Sequence, residues 1–497
     1  MTADGQGVAS LIGRLVAAGT NLTAEGADLV YDGPASSLND DVLDALRAHK
    51  RDVLAMLHAN RSRGVAALAA TTREQQRMEL RSRMDRNPAT YNTCIRVDLR
   101  GPVCPDRLGR AITALHERHE AFRTRFVWYG EHLLQEVHAP SRSVLQVMTR
   151  DVLAGASDDD IQRWCARRGA AGFDLATQPP ARWCYAPVEQ DHAVLVVGLH
   201  HIVCDGWSVD IMISELVDLY RRTAADDRVG GPVAVAATPR DFAAWERGRL
   251  VPERVEQVRL FWAEELRGTA LSPVLTRAVG GRCVGGDADC LIRVVPSAVA
   301  AGIEALANSR AVTEFSLYFA AFAMLLSEEA RRSDLAVVIA VANRTQPAHE
   351  TVVGLCRNAV PIRCSVRDGN TIDRVAGDIS ERVARALEQQ TFPIGIIAGD
   401  GSELSRDADL RRLPFTFGFE PVDYTPIECG PLNARLRDVY LGAARAEFSL
   451  LVRRRGERLE AFFEYATPAL SRDDVAVMAA RYIDILTDAG DKHDHSR

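Results

Sequence analysis

The sequence predicts a mixed α/β (α+β) protein built from several structural units. The chain has 497 residues, far more than one small core requires, and its 47% hydrophobic and 26% charged residues are typical of globular proteins. Patterns with the 3.6-residue period of a helix alternate along the chain with patterns of the two-residue period of a strand. These observations exclude a disordered chain and favour helices packed on sheets.

Residues 1–60 predict a small unit with the element order α-β-β-α-α. Apolar residues between Val8 and Val16 recur at helical spacing, and two short apolar pieces, Asn21–Thr23 and Ala27–Tyr31, predict a hairpin. Asn39 is a typical N-cap for the helical pattern that follows. Residues 61–71 contain an Arg-Gly break and an alanine run, which predict a linker to a larger body.

The rest of the chain predicts two larger α/β units and a tail. Residues 72–236 alternate strand and helix patterns and end in a stretch of Gly, Pro and small residues that is typical of a boundary. Residues 237–488 repeat this style without any detectable sequence repeat, and residues 489–497 predict a polar tail.

Charge and cysteine usage narrow the function classes. Sixty Lys and Arg residues against 67 Asp and Glu give a net charge of −7, which disfavours nucleic acid and acidic membranes as partners. Ten scattered cysteines without a C-x-x-C pair indicate a reduced, cytoplasmic protein. The longest apolar stretch, Phe315 to Leu326, is too short to span a bilayer, and the N-terminus has no signal pattern.

One turn concentrates the residues that carry chemistry. An apolar strand pattern ends in His200 and His201, and Asp205 and Gly206 follow immediately before an amphipathic helix. Because side chains alternate along a strand, only one of the two histidines can face a given cavity. Histidines that only pack in a core are the plainer alternative.

A zinc site is disfavoured because the spacing of the histidines is not H-E-x-x-H, so we expect no metal. We interpret His116 and His119, which lie three residues apart on one predicted helix, as packing residues.

The run HHIVCDG (200–206) resembles the H-H-x-x-x-D-G signature of nonribosomal peptide synthetase condensation domains. Further blocks resemble the family in the same order: QQRM (75–78), RHEAFRTRF (118–126), DFAAW (241–245), VGLCRNAVPIR (353–363), LPF (413–415) and EY (464–465). Pro239 and QQTFP (389–393) depart from the family pattern, which usually has tyrosine and H-Q-D-x-P-F at these places.

This resemblance implies a fold and a set of partners. We expect two chloramphenicol acetyltransferase-like subdomains in a V shape, with a tunnel between them that is entered from opposite faces. The partners would be donor and acceptor peptidyl carrier proteins, whose phosphopantetheine arms deliver the substrates, and the protein itself would need no cofactor. We further expect a monomer. Because no adenylation or carrier segment follows Leu486, we expect a freestanding protein, with a piece of a longer synthetase as the open alternative.

The resemblance also implies roles for single residues. His201 would orient the attacking amine or take its proton, with His200, Asp205 and Gly206 completing the catalytic turn. Asp205 would form a structural ion pair with Arg344 or, as second choice, with Arg123. Three residues are assigned to the substrate channel, namely Asn358, Trp207 and Ser208, and a turn-capping amide is the equal alternative for Asn358.

Residues 1–60 resemble the tubulysin-type docking domains found at the N-termini of synthetase subunits. Their edge strand would accept, by β-augmentation, a C-terminal peptide of an upstream subunit. The predicted contact comprises Ala27, Asp28, Leu29, Val30, Tyr31, Lys50 and Arg51. A helical cap that only packs on the main body is the alternative.

The sequence is compatible with three functions. The favoured one is amide-bond formation on an acyl or aminoacyl thioester held by a carrier protein. The second is an ester-forming or coenzyme A-dependent acyltransferase of the same superfamily, and the third is a catalytically silent domain that recruits carrier proteins. The sequence does not reveal the acyl groups, the stereochemistry of the donor, or whether His201 acts as base or orienter.

Overall fold

The computed structural model describes residues 3–34, 37–140, 145–225, 235–271, 273–278, 286–397, 414–421, 427–429 and 432–494. The helices of these ranges are α1 (Ala3–Ala17), α2 (Asp40–Ala48), α3 (Lys50–Ser62), α4 (Arg73–Met84), α5 (Pro105–Arg118), α6 (Asp158–Gly169), α7 (Gly206–Ala225), α8 (Pro239–Arg249), α9 (Pro252–Glu265), α10 (Ser297–Arg310), α11 (Glu314–Ala330), α12 (Ile372–Glu388), α13 (Ile394–Ile397) and α14 (Arg472–Asp494). Because α14 runs to Asp494, the predicted polar tail is wrong for residues 489–494; residues 495–497 lie outside the described ranges.

The strands complete a mixed α/β fold, which confirms the predicted class. They are β1 (Asn21–Glu25), β2 (Asp28–Asp32), β3 (Val65–Ala70), β4 (Asn92–Arg100), β5 (Thr124–Tyr129), β6 (His132–His138), β7 (Leu145–Val147), β8 (Ala181–Glu189), β9 (His192–His200), β10 (Ala288–Val295), β11 (Asp334–Val341), β12 (Asn358–Ser365), β13 (Phe415–Glu420), β14 (Ile427–Cys429), β15 (Leu432–Asp438), β16 (Phe448–Arg455) and β17 (Arg458–Ala466). The predicted boundary stretch falls partly on residues 226–234, outside the described ranges.

The N-terminal residues have the order α-β-β-α-α, but they are not a separate body. Residues 61–71, predicted as a linker, contain β3, which pairs with β6 in a three-stranded sheet. The apolar face of α1 shares one core with Tyr129 and Leu134 of that sheet. Asn60 donates a hydrogen bond to the Tyr129 hydroxyl at 2.8 Å, and Arg247 donates to the carbonyl of Ala17 at 2.9 Å. The linker prediction is therefore wrong, because these residues form an integral strand.

A six-stranded sheet with the order β14-β15-β4-β9-β8-β7 organises the first half. All nine residues of β9 are buried, as a central strand covered on both faces requires. Helices α5 and α7 pack on one face of the sheet, and α6 packs on the other. The division at residue 236 is incomplete, because β14 and β15 come from the second half of the chain and extend this sheet beyond β4.

A second six-stranded sheet, with the order β10-β17-β16-β13-β11-β12, organises the other half. Helices α10, α11, α12 and α14 cover one face, and α11 is largely buried among them. Within the described ranges no single helix is both long and apolar enough to cross a membrane; only α10 and α11 taken together reach that mark, and they meet at 111°. The opposite face of this sheet borders the site described next.

Candidate active site

The catalytic turn lies where the buried strand β9 ends. The strand stops at His200, a short 3-10 turn covers His201 to Val203, and α7 begins at Gly206. The backbone N–H of His201 donates to the carbonyl of Tyr91 at 2.7 Å, which fixes the turn against the end of β4. The two histidines consequently point into different surroundings, as strand alternation predicts.

His200 belongs to the architecture rather than to the cavity. Its Nδ1 accepts a hydrogen bond from the backbone N–H of Ile202 at 3.1 Å, and its ring packs beside Tyr91 and Phe173. Burial, with a smaller contribution from Arg445, lowers the pKa of His200 to about 3. Its place in the predicted catalytic set is corrected accordingly, because it lines neither of the cavities described below.

His201 faces open space at the centre of the molecule. It lines a cavity of about 940 Å³ and a smaller one of about 270 Å³, and 8% of the residue remains exposed. Its Nδ1 has no hydrogen-bond partner of normal geometry in the described part of the chain. Burial lowers its pKa well below the usual 6.5, and the positive charges of Arg445 and Arg357 lower it further. The imidazole is therefore neutral at physiological pH.

The larger cavity lies between the two sheets. One wall comes from the catalytic turn, from β15 and from the start of α6; the other comes from the uncovered face of the second sheet, on β10, β17, β16, β13 and β11. The volume is at the upper end of that of small-molecule sites, and lining groups are both apolar and charged. Among the described residues, no group of three or more His, Cys, Asp or Glu side chains is placed to hold a metal ion.

Asp205 borders the smaller cavity, and both oxygens of its carboxylate are engaged in hydrogen bonds. Arg344 donates to both of its carboxylate oxygens, at 2.8 and 2.9 Å, and both side chains are almost completely buried. The backbone N–H groups of Cys356 and Arg357 donate to Oδ2, at 3.1 and 3.0 Å, and Ser208 donates to Oδ1 from both its backbone and its hydroxyl. One carboxylate thus joins the catalytic turn to the second half of the chain.

Arg123 is not the partner of Asp205, so this second choice is wrong. Its guanidinium donates to the carbonyls of His116, on α5, and His138, at the end of β6. His116 is itself packed in the core, where its Nε2 accepts a hydrogen bond from the indole of Trp183 at 2.8 Å. The plain interpretation of His116 as a packing residue therefore fits its surroundings.

The three residues assigned to the substrate channel lie outside both cavities, which corrects that assignment. The amide of Asn358 donates to the carbonyls of Gln390 and Phe392, at 2.8 and 2.6 Å, and so holds the turn before α13. The buried hydroxyl of Ser208 lies between Asp205 and the backbone of Gly354. The Trp207 indole donates to the carbonyl of Glu350 at 2.9 Å, across the seam between the two halves. All three stabilise the shape of the site.

Gly206 does line the cavities. A Cβ built on it would meet no protein atom within 4 Å, so a side chain there would project into the cavity itself. The absence of a side chain therefore leaves room for a substrate rather than for a neighbouring part of the fold.

The sequence patterns assign most residues of the cavity wall no role in the site. Four of these residues bear on its chemistry, namely Arg357, Tyr440, Arg445 and Glu464. Burial raises the pKa of Glu464 to about 7, although Arg445 opposes this, and it also raises the pKa of Tyr440. The Tyr440 hydroxyl has no hydrogen-bond partner among the described residues. Glu464 belongs to a block that resembles the family, but the block alone assigns it no role in the site.

The residues expected to bind a docking peptide lie at an exposed edge. Strand β2 (Asp28–Asp32) pairs with β1 alone among the described strands, and its Val30 and Tyr31 are 40% and 42% exposed. Ala27 lies in the exposed turn before β2, and Leu29 is half-buried. Lys50 is already engaged, because its ammonium group lies 3.1 Å from the Asp28 carboxylate, whereas Arg51 is exposed and makes no ion pair within the described residues.

The family model described as "Condensation domain" matches residues 65–496. The chain belongs to the condensation domain family. Bacitracin synthase 2 of Bacillus licheniformis is 24% identical over 473 residues, which cover 92% of this chain and 17% of that protein. Tyrocidine synthase 3 of Brevibacillus parabrevis is 24% identical over 424 residues, 83% of this chain and 6% of that protein. The chain therefore spans a small part of these synthetases.

A solved condensation domain has the same fold. The first condensation domain of the calcium-dependent antibiotic synthetase, in complex with a substrate analogue, matches with a TM-score of 0.72 at 20% identity, over 86% of this chain and 97% of that one. The X-domain from teicoplanin biosynthesis, solved in complex with OxyB, matches with the same score at 22% identity, over 85% and 93% of the two chains. At such identities the likeness concerns the fold.

Proposed function

We propose that this condensation domain forms an amide bond in a peptide assembly line. The observation that carries the proposal is the neutral imidazole of His201, which lies in a cavity between the two halves of a condensation fold. An amine nitrogen attacks the carbonyl carbon of a thioester; the new C–N bond forms, the C–S bond breaks, and the proton lost from nitrogen is finally taken up by the departing thiolate.

The low proton affinity of His201 assigns it an orienting role first. Burial and two neighbouring guanidinium groups disfavour a stable imidazolium ion, so the ring serves better as an acceptor that holds the amine than as a long-lived proton carrier. Most of the acceleration then comes from holding two tethered substrates at attack distance, which can correspond to effective molarities of about 10^5 M or more. Phosphopantetheine arms of donor and acceptor carrier proteins would bring both substrates, and the chain itself would need no cofactor.

The test is turnover of carrier proteins that are loaded with acyl and aminoacyl groups, followed by intact mass. We expect His201→Ala to fold like the wild type and to lose about 10^2- to 10^4-fold in rate. His200→Asn is the matched control, because His200 makes structural hydrogen bonds and lines no cavity. A similar loss of rate in His200→Asn without loss of stability would contradict the division of roles between the two histidines.

The same assay discriminates the two rival functions. An acyltransferase that uses coenzyme A, or that forms esters, would turn over with a soluble acyl-coenzyme A donor and an alcohol. A silent recruiting domain would bind the loaded carrier proteins without any product. The open cavity at His201 and Gly206 favours catalysis over simple recruitment.

We further propose that the edge of β2 binds the C-terminal peptide of an upstream synthetase subunit, in the manner of a tubulysin-type docking domain. An exposed edge strand with outward Val30 and Tyr31 is a suitable template for β-augmentation, and Arg51 supplies a cation for a terminal carboxylate. Because α1 shares a core with the main body, the peptide would be held in a fixed relation to the cavity.

Titration with synthetic peptides that cover the C-termini of candidate carrier-bearing subunits tests this surface. Val30→Ser together with Tyr31→Ser should weaken binding at least tenfold, because outward apolar side chains give such complexes their specificity. Val147→Ser, a change of an exposed valine on β7, is the matched control and should leave binding unchanged. Equal binding by all three proteins would exclude β2 as the docking edge.

We also propose a monomeric, cytoplasmic protein. Eight cysteines among the described residues are free thiols, which supports a reducing compartment. Sedimentation of the purified protein at micromolar concentration tests the monomer, and a stable dimer would exclude it.

A further inference from the structure

Two arginine side chains face the cavity beside His201 without carboxylate partners. Arg445 lines both cavities, and Arg357 lines the larger one. Within the described residues neither guanidinium forms an ion pair or a side-chain hydrogen bond, and the buried Nε of Arg357 has no partner at all. Burial and the charge of Arg445 lower the pKa of Arg357 to about 10, so Arg357 remains positively charged at neutral pH.

The nearby carboxylates do not balance these charges. Asp205 is held by Arg344 at 2.8 Å, and Glu74 is held by Arg77 at 2.7 Å. Glu464 lies within electrostatic range of Arg445, yet burial outweighs that attraction and leaves this acid about half protonated at neutral pH. The site around His201 therefore carries an excess of positive charge.

Other arginines that line the same cavity do have carboxylate partners. Arg437 pairs with Asp98 and Asp158, both at 2.9 Å, and Arg453 pairs with Glu420 and Asp438. Arg445 is exposed to the cavity and Arg357 is partly buried with a buried, unpartnered Nε. An unpaired charge of the second kind is unfavourable, so chains retain one mainly where a ligand pairs with it. The planar fork of a guanidinium matches a carboxylate, to which it can donate two parallel hydrogen bonds.

The position of the two cations fixes where the matching anion lies. The backbone of Arg357 is anchored to Asp205 at 3.0 Å, and Asp205 belongs to the same turn as His201. Arg357, Arg445 and His201 line the same cavity, and both guanidinium groups lower the pKa of the His201 ring. The phosphate of a pantetheine arm is at the opposite end of that arm from the thioester, and it therefore cannot be the anion in question.

We propose that Arg357 and Arg445 form a carboxylate-binding pair, which selects a substrate with a carboxylate close to the atoms that are joined at His201. This inference rests on the proposed condensation function and names its substrate class. The carboxylate has two possible sources: the α-carboxylate of an untethered amino acid acceptor, or the acidic side chain of a tethered acyl group. In either case the carboxylate of the substrate supplies the negative charge that pairs with the two guanidinium groups.

The experiment compares matched acids and amides as acceptors. Glycine and glycinamide represent the untethered source, and the N-acetylcysteamine thioesters of aspartate and asparagine represent the tethered one. Binding is measured by calorimetry on the His201→Ala protein, so that a failure of the proposed chemistry does not hide the result. Turnover is measured separately on the wild type.

We expect the acid of one pair to bind at least tenfold more tightly than its amide, since hydrogen bonds between charged groups are stronger than those to a neutral amide. Arg357→Gln and Arg445→Gln, each in the His201→Ala background, should bring that ratio to within twofold. Arg445→Glu, on the exposed cavity wall, should favour the amide and keeps the test available if Arg357→Gln does not fold. Arg437→Gln is the matched control, because its charge is already paired, and should preserve the ratio.

Preference within the glycine pair identifies an untethered acceptor, and preference within the aspartate pair identifies an acidic side chain. Equal binding of acid and amide in both pairs overturns the proposal. A fall in turnover by the same factor for acid and amide in the arginine variants, with no binding preference, would instead assign the two cations to the oxyanion of the tetrahedral intermediate.

Discussion

Asp205 and the pair Arg357 and Arg445 lie at the same candidate active site, but in opposite electrostatic conditions. Each oxygen of the Asp205 carboxylate accepts several hydrogen bonds, and a buried arginine neutralises its charge. The two guanidinium groups of the cavity wall have no such partners among the described residues. A charged group whose partners all belong to the protein stabilises the fold. A charged group without a partner in the protein instead selects substrates that carry the opposite charge.

The largest change expected from this comparison follows from removing the balanced charge. Asp205→Ala should lower the free energy of unfolding by about 3–5 kcal/mol, because it leaves the buried Arg344 in the state that Arg357 already has. Urea denaturation measures the loss. Asp205→Ala combined with Arg344→Met is the control and should recover much of it. Wild-type stability together with lost turnover in Asp205→Ala would show that this carboxylate acts in catalysis.

The second prediction removes an unbalanced charge. Arg357→Met should raise the free energy of unfolding by about 1–3 kcal/mol, because an apolar side chain of similar length avoids the cost of an unpaired buried charge. Arg453→Met is the matched change of a balanced arginine in the same cavity, and it should destabilise the protein. A loss of stability in both variants would show that Arg357 has a partner inside the fold.

The third prediction concerns two buried groups that are kept neutral, whose effects on stability partly cancel. Burial lowers the pKa of His116 to about 4 and raises that of Glu246 to about 7. Between pH 6.5 and pH 4, His116 is protonated in the unfolded chain but stays neutral in the folded protein. Acidification over this range therefore lowers the free energy of unfolding by up to about 1.4 kcal/mol per pH unit. Glu246 acts in the opposite direction: its contribution is complete below pH 4.5 and is lost as the pH rises through 7.

Thermal denaturation between pH 4.5 and 7 checks these signs. His116→Gln, which can still accept the hydrogen bond of Trp183, should flatten the loss of stability on acidification. Glu246→Gln should make that loss steeper, because the offsetting proton uptake of the folded state disappears. Shifts of the same sign in both variants would contradict the assignment of these two groups.

The sequence predicts the parts of the site that local chemistry defines. The strand that ends in two histidines, the acid four residues further on and the glycine that opens a helix are all close in sequence, so their arrangement follows from strand alternation and turn geometry. The contact between Asp205 and Arg344 joins residues far apart in the chain, and its prediction depends on the family resemblance rather than on any local pattern.

What the sequence does not predict depends on contacts between distant segments. Arg357 stands at a position of its block where the family pattern specifies no residue, and Arg445 lies in no block at all. Only the packing of the two sheets brings them to His201. An amide such as Asn358 is a reasonable channel residue, but the carbonyls of Gln390 and Phe392 hold it away from the cavity. The alanine-rich β3 resembles a linker because its partner strand lies more than sixty residues further along the chain.

The exchange of β14 and β15 into the first sheet restricts how this protein can be divided by engineering. A cut near residue 236 would give a first fragment in which β4 has lost the partner on one side and exposes a hydrogen-bonding edge, and a second fragment with two orphaned strands. Neither piece would be a stable building block on its own. Recombination between relatives should therefore exchange the entire span from β3 to α14 as one cassette.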